Sequence, residues 1–323
     1  MTQPILDVQS LAVRFTTSSG AVTAVRDLSF ALHEGECLGI VGESGSGKSQ
    51  TFMAALGLLA DNGKATGSVR FRGEEILNAP RRVLDEIRGN RIAMIFQDAL
   101  SALTPTMRIA EQMTEVLARH KGMGRKAARA RAIEALEVVR IPDAARRIDS
   151  YPFELSGGMR QRAMIALATL CKPEVIIADE PTTALDVTVQ SQVLRLLDGL
   201  RRHTSTSIVL ITHDLAVVAG LCSRVLIMYG GRAVEYGPVR DIFRSPRHPY
   251  TQALLRSMPS MVIDPAVDLP VIPGQPPDLE HLPAGCPFAP RCAHVIDRCH
   301  SESPALERVG EGHFKACHRE VSA

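Results

Sequence analysis

Residues 42–49 contain the densest chemistry in the chain: Gly42, Glu43, Ser44, Gly45, Ser46, Gly47, Lys48 and Ser49, in the pattern G-x-x-x-x-G-K-[ST]. Glycines at these positions let the backbone curl until successive N–H groups converge on phosphate oxygens. A helix starting behind them adds its positive dipole end. Lys48 is placed to reach the β- and γ-phosphates of a nucleotide, and the Ser49 hydroxyl to ligate Mg²⁺. The pattern follows the apolar run Cys37–Val41 and precedes the helical stretch Thr51–Leu59. That context favours nucleotide binding over an ordinary glycine-rich turn.

A second run, Val175-Ile176-Ile177-Ala178-Asp179-Glu180, reads as a buried strand ending in two carboxylates. Ligands of open α/β sheets sit beyond the carboxyl ends of strands. Neighbouring strand residues point to opposite sides. Asp179 is therefore expected on the magnesium shell and Glu180 as general base toward the attacking water. The plainer reading is two acids solvating a strand end. The strand Ser207–Thr212 leads into His213, expected at the same sheet edge near the γ-phosphate; a lone histidine is otherwise more often structural. Ser156, Gly157, Gly158 and Met159 open another helical segment, Arg160–Leu170. Ser156 suits an N-cap and the paired glycines expose N–H groups, making a second phosphate-binding helix start.

The elements that must hold these groups are legible from periodicity. Leu11, Val13 and Phe15, then Leu28, Phe30 and Leu32, alternate as strands about a turn at Ser18-Ser19-Gly20; Val69 and Phe71 continue the signal. From about 106 to 155, Met113, Val116, Leu117, Ala132, Leu136 and Val139 fall at helical spacing, an inserted helical subdomain within about 100–170. Apolar runs at Val175–Ala178, Ile208–Ile211 and Val225–Met228 suit parallel strands buried on both faces. The fold class is thus α/β, with right-handed βαβ crossovers. The expected domains are residues 1–260 and a small, loop-rich C-terminal extension, 261–323, that holds nine of the twenty prolines.

Composition narrows the function classes. The 323 residues are 45% hydrophobic and 22% charged, with a net charge of +2 and only thirteen aromatic residues, none of them Trp. This excludes the basic footprint and stacking platforms of a dedicated nucleic-acid binder. The basic run Arg119–Arg131 reads as a solvated helix face. The longest uncharged run, Ser49–Ala60, is twelve residues, too short to span a bilayer. No secretory leader pattern opens the chain, so a cytosolic location is expected, with any membrane role carried by a partner.

In this order the motifs resemble the ATP-binding cassette (ABC) family over about residues 5–260. The resemblance identifies 42–49 as Walker A, Gln97 as the Q-loop glutamine, Leu155–Met159 as the signature, 175–179 as Walker B, Ala184-Leu185-Asp186 as the D-loop and His213 as the switch. It implies the ABC-type P-loop core with an antiparallel β subdomain and a helical subdomain. It implies ATP and Mg²⁺ as ligands, Ser49, Gln97 and Asp179 around the metal, and Glu180 with His213 as catalytic residues. Phe15 is expected to stack on adenine, the alternative being a buried strand residue. Val25 is expected near the same ring and Gln50 at the nucleotide. Ser156, Gly157, Gly158 and Met159 would serve ATP bound to a second cassette. The passages GESGSGKSQT, SGGMRQR, IADEPTTALDVTVQ, ITHDLAVVAG, MYGGRAVEYG, RHPYTQALL and IPGQPP resemble ATPase subunits of oligopeptide and dipeptide importers, the oligopeptide type above all. Ala99 and Thr104 depart from frequent Pro and Asn in the region expected to touch a permease.

Cys286, Cys292, Cys299 and Cys317 are separated by five, six and seventeen residues. Structural zinc favours shorter steps, and four thiolates on looser loops suit a [4Fe–4S] cluster. The importer subunits carry a similar cysteine motif, some with such a cluster. Zn²⁺, with His294, His300, His313 or His318 as substitute ligands, and free or disulfide-linked thiols are the alternatives. Cys37, Cys171 and Cys222 lie among apolar residues and read as core.

The function implied is an ATP-hydrolysing, energy-coupling subunit of an oligopeptide or dipeptide importer, peripheral on the cytoplasmic face of the membrane. Its implied partners are a second, different cassette, two permease subunits and an extracytoplasmic peptide-binding protein, with no nucleic acid. The alternatives are the same role for nickel or another small solute, or a soluble ABC ATPase acting on ribosomes or DNA.

Overall fold

The computed structural model describes residues 3–98, 102–182, 186–258 and 271–320. In chain order the strands are β1 (Leu6–Thr17), β2 (Gly20–Leu32), β3 (Cys37–Val41), β4 (Gly63–Phe71), β5 (Glu74–Glu75), β6 (Ile92–Ile95), β7 (Val175–Asp179), β8 (Ser207–Thr212), β9 (Arg224–Tyr229), β10 (Arg232–Pro238), β11 (Glu307–Gly310) and β12 (His313–Lys315). Two compact units divide the chain. One comprises residues 1–33, 37–79 and 211–323, the other residues 34–36 and 80–210.

In the first unit β2, β1, β4 and β5 form an antiparallel sheet in that order. Its alternation buries Leu11, Val13, Leu28, Phe30, Leu32, Val69 and Phe71, as the period of two requires. The β1–β2 register slips near Ser10, which carries a positive φ of 46°, and the slip lets a long strand twist without losing its buried face. The same unit holds strands in the order β11-β12-β10-β9-β3, with β3 parallel to β9. All five residues of β3 are buried, the pattern of a central parallel strand. The tail joins this sheet: β12 pairs antiparallel with β10 through Glu235↔Lys315 and Tyr236↔Phe314. Prolines keep the rest of the tail to short pieces, a 3₁₀ turn at Ala289–Arg291 and a single helical turn at Arg298–Ser301.

In the second unit β6 runs parallel to β7, and β7 is buried throughout. Helices at Ile109–Lys121, Arg125–Val138 and Gly157–Thr169 follow the expected helical spacing, with Met113, Leu117, Ala132 and Leu136 inward. The helix Val187–Thr204 comes after β7. Among the described residues no helix is long and apolar enough to cross a membrane.

Candidate functional site

The first unit supplies the phosphate loop. Gly42 leaves β3 where a Cβ would stand 2.3 Å from the Met228 carbonyl oxygen, so only glycine fits there. Gly47, at φ 94°, caps the helix Lys48–Ala55, and a Cβ on it would stand 2.3 Å from the Ala24 carbonyl oxygen. Between them Lys48 folds back into the loop. Its Nζ donates to the carbonyls of Gly42 (2.8 Å) and Glu43 (2.9 Å) and lies 3.4 Å from Ser46 Oγ. The side chain is buried, so a cation stands inside a ring of backbone where anionic oxygens would bind. Ser44 and Gly45 form the exposed tip; Ser49 and Gln50 are half-buried at the helix start.

Phe15 is half-exposed on β1, opposite Val22 and Gly63, and a Cβ on Gly63 would stand 2.7 Å from its ring. Val25 is fully buried and backs Gly47, which places it behind the loop. His213 follows β8 and is exposed, while Asp214 beside it caps the helix Leu215–Leu221 by accepting from the N–H groups of Ala216 and Val217.

Asp179 and Glu180 lie in the second unit. Ile95 on β6 pairs with Ala178 on β7, so Gln97 and Glu180 emerge side by side two residues later. The Gln97 amide donates to Glu180 Oε2 at 3.2 Å. Glu180 adopts φ 45°, a costly left-handed conformation of the kind that clusters at functional sites. Asp179 is buried at the strand end. Ser156 Oγ accepts from the Met159 N–H at 3.4 Å and caps the helix Gly157–Thr169. Ser156 and Gly157 are exposed, Gly158 and Met159 half-buried. Gln161 on that helix donates to the Pro181 carbonyl at 2.7 Å, tying the signature to the segment after Glu180. Asp186 caps the helix Val187–Thr204 by accepting from the Val189 N–H. Ala99, Ala184 and Leu185 lie outside the described residues.

The sequence reading missed a set of residues behind the phosphate loop. Arg291 Nη1 meets both Glu43 carboxylate oxygens at 3.1 and 2.8 Å and donates to the Tyr229 hydroxyl at 3.1 Å. The Glu43 N–H donates to the Tyr250 hydroxyl at 3.2 Å. Tyr229, Tyr250 and Phe288 pack ring against ring, and burial pushes both tyrosine hydroxyls toward higher pKa. Arg291 lies 248 positions from Glu43, a pairing no local pattern reveals.

In the tail, Cys286, Cys292, Cys299 and Cys317 line one small cavity with His248, His294 and His318. All four stand as unbridged thiols in this structure. The expected [4Fe–4S] or zinc centre gains no support from their arrangement: among the described residues no group of three or more His, Cys, Asp or Glu is set to hold a metal ion. Burial explains how they rest instead, holding the Cys286 thiol up at about 11 and raising Cys292 and Cys317, so the neutral forms are favoured. Fully buried Glu235 on β10 anchors this region. It accepts from the N–H groups of Arg247 and His248 and meets His313 Nε2 at 2.7 Å.

Comparison with known proteins places the chain in a family. Residues 25–183 match a family described as ABC transporter, and residues 234–299 one described as oligopeptide/dipeptide transporter, C-terminal region. The chain is 53% identical to the oligopeptide transport ATP-binding protein OppD of Salmonella typhimurium, over 98% of this chain and 94% of that protein. It is 49% identical to the probable D,D-dipeptide transport ATP-binding protein DdpD of Escherichia coli, over 98% and 97%. The fold matches the dimeric post-hydrolysis cassette MJ0796 bound to ADP and Pi, with a TM-score of 0.66 and 27% identity over 73% of this chain and 99% of that one. Loop, strand-end acids, signature and relatives lead to one conclusion: the chain belongs to the ABC transporter family as an ATP-binding, ATP-hydrolysing subunit.

Proposed function

We propose that this chain powers an importer of oligopeptides or dipeptides, with Lys48 and the Gly42–Ser49 loop binding the triphosphate. The observation that carries the reading is the buried Lys48 ammonium held inside the curled loop. Ser49, Gln97 and Asp179 serve Mg²⁺, Phe15 the adenine, and Val25 and Gln50 the walls of the nucleotide site. Glu180, oriented by its bond from Gln97, acts as general base, and His213 assists at the γ-phosphate. Ser156, Gly157, Gly158 and Met159 close over ATP held by a second cassette, and Asp186 lies at that junction.

The peptide cargo is supported by the transport functions named for the relatives and by the matched C-terminal region. In this reading the subunit sits peripherally on the cytoplasmic face, with two permease subunits, a different partner cassette and an extracytoplasmic peptide-binding protein. The four tail cysteines hold a [4Fe–4S] cluster, or Zn²⁺ in its place. Their all-sulfur donor set is what supports this, and loading would draw the sulfurs together from their present positions. The bound group would cross-link the proline-rich tail.

The test is Glu180→Gln in the assembled transporter. ATP binding is expected to persist while phosphate release and peptide uptake fall together by about a thousandfold. Wild-type turnover in that variant removes Glu180 as the base, and ATP turnover without peptide uptake by the wild-type assembly removes the cargo.

A further inference from the structure

The phosphate loop carries a carboxylate, Glu43, at its second position, and an anionic side chain there opposes an anionic ligand. The structure shows how that charge is handled. Arg291 spends Nη1 on both Glu43 oxygens, at 3.1 and 2.8 Å. Its Nε donates to the Pro273 carbonyl at 2.8 Å and its Nη2 to the Ile272 carbonyl at 3.4 Å. The guanidinium therefore has one orientation. Its side chain is only 7% exposed and that of Glu43 21%, so the pair is little screened by solvent. Glu43 is held a second time through its N–H on the Tyr250 hydroxyl. Its carbonyl in turn accepts from Lys48 Nζ and from the Ser46 N–H. One residue thus touches both the C-terminal tail and the lysine of the loop.

We propose that Arg291 is a positioning residue for ATP binding: by pairing with Glu43 it cancels the carboxylate's repulsion of the triphosphate and keeps the carbonyl of residue 43 on Lys48. The C-terminal tail is then part of the nucleotide site in function, since Arg291 lies on the 3₁₀ turn beside Cys292. The inference rests on the reading that the Gly42–Ser49 loop holds ATP. It goes beyond that reading in naming a distant cation that sets the loop's charge.

The experiment measures equilibrium MgATP binding to the full-length chain, and KM and kcat in the assembled transporter, for Arg291→Met, Glu43→Gln and the double variant. Arg291→Met is expected to weaken ATP binding and raise KM about tenfold with kcat at saturation kept. The added Glu43→Gln change is expected to recover most of that loss, because the uncompensated charge is gone. Glu43→Gln alone is expected to bind ATP somewhat more tightly than wild type, as its amide can still accept from Arg291. A purely structural role would lower thermal stability and gain nothing from the second change. Unchanged ATP binding in Arg291→Met, or a double variant no better than Arg291→Met, overturns the proposal. If Arg291→Met does not fold, Glu43→Gln decides alone: tenfold weaker binding overturns the proposal and tighter binding supports it. Absence of MgATP binding by the wild-type chain would instead strike at the loop itself.

Discussion

The two helix starts proposed above to grip phosphate are finished differently. The one at Lys48 is enclosed: Gly42 and Gly47 are packed against carbonyls, Lys48 is buried, and Arg291 and Tyr250 hold Glu43 from behind. The one at Gly157 is open, with Ser156 and Gly157 exposed and nothing within 4 Å of a Cβ placed on Gly157. A helix end that binds its own ligand is best organised in advance. One that serves a ligand brought by another molecule has to stay accessible. The contrast in burial is what a shared site between two cassettes needs from each of them.

Lys48→Ala tests the enclosed end most severely. It should lower ATP affinity by about a hundredfold or more, read by nucleotide binding to the full chain, because the loop loses its only inward cation. Gly157→Asp tests the open end. The space around it accommodates the side chain, so melting temperature and the chain's own ATP binding should hold. Turnover of the assembled pair should drop by about a hundredfold, as a carboxylate meets the partner's triphosphate. Equal loss of binding and turnover in that variant would erase the distinction between the two ends.

The ground behind the enclosed end should also respond to pH. His248 accepts the Tyr250 N–H at Nδ1 and faces Glu235 and Lys315; burial outweighs the attraction of Glu235 and holds its pKa down at about 4, against 6.5 when exposed. The unfolded chain binds a proton there first. This contribution is therefore complete above pH 6.5 and lost as pH falls toward 4, about 3 kcal/mol in all. Denaturant midpoints across that window should show the slope, and His248→Asn, which keeps a cap acceptor without titrating, should flatten it. The smallest effect belongs to Ser156→Ala at the open end. Its long 3.4 Å cap bond should be worth about 0.5–1 kcal/mol in thermal melts.

The parts of the site visible in the sequence are those whose physics is local. The apolar run Cys37–Val41 followed by glycines and Lys48 can be little else than a buried strand opening into a loop. The four apolar residues before Asp179 fix a strand end in the same way. Gln97 beside Glu180 needed the β6–β7 register, which periodicity does not contain. The brace on Glu43 depends on a contact across 248 positions, set by tertiary packing alone. The strands β11 and β12 were hidden for another reason. They are four and three residues long, and β11 is exposed along its length, so neither shows an apolar alternation. The four cysteines were legible as a group, but the sequence could not say how their sulfurs rest.

Because β12 hydrogen-bonds to β10, the last stretch of the chain acts as a cover strip on a sheet margin. A protein clipped before Glu307 would bare the backbone amides and carbonyls of β10, whose Ala233–Gly237 stretch is buried in the intact chain. Bare margins of that kind recruit strands from other molecules. Preparations trimmed to the catalytic cassette should therefore clump, and solubility would report the integrity of the C-terminus before any assay of activity did.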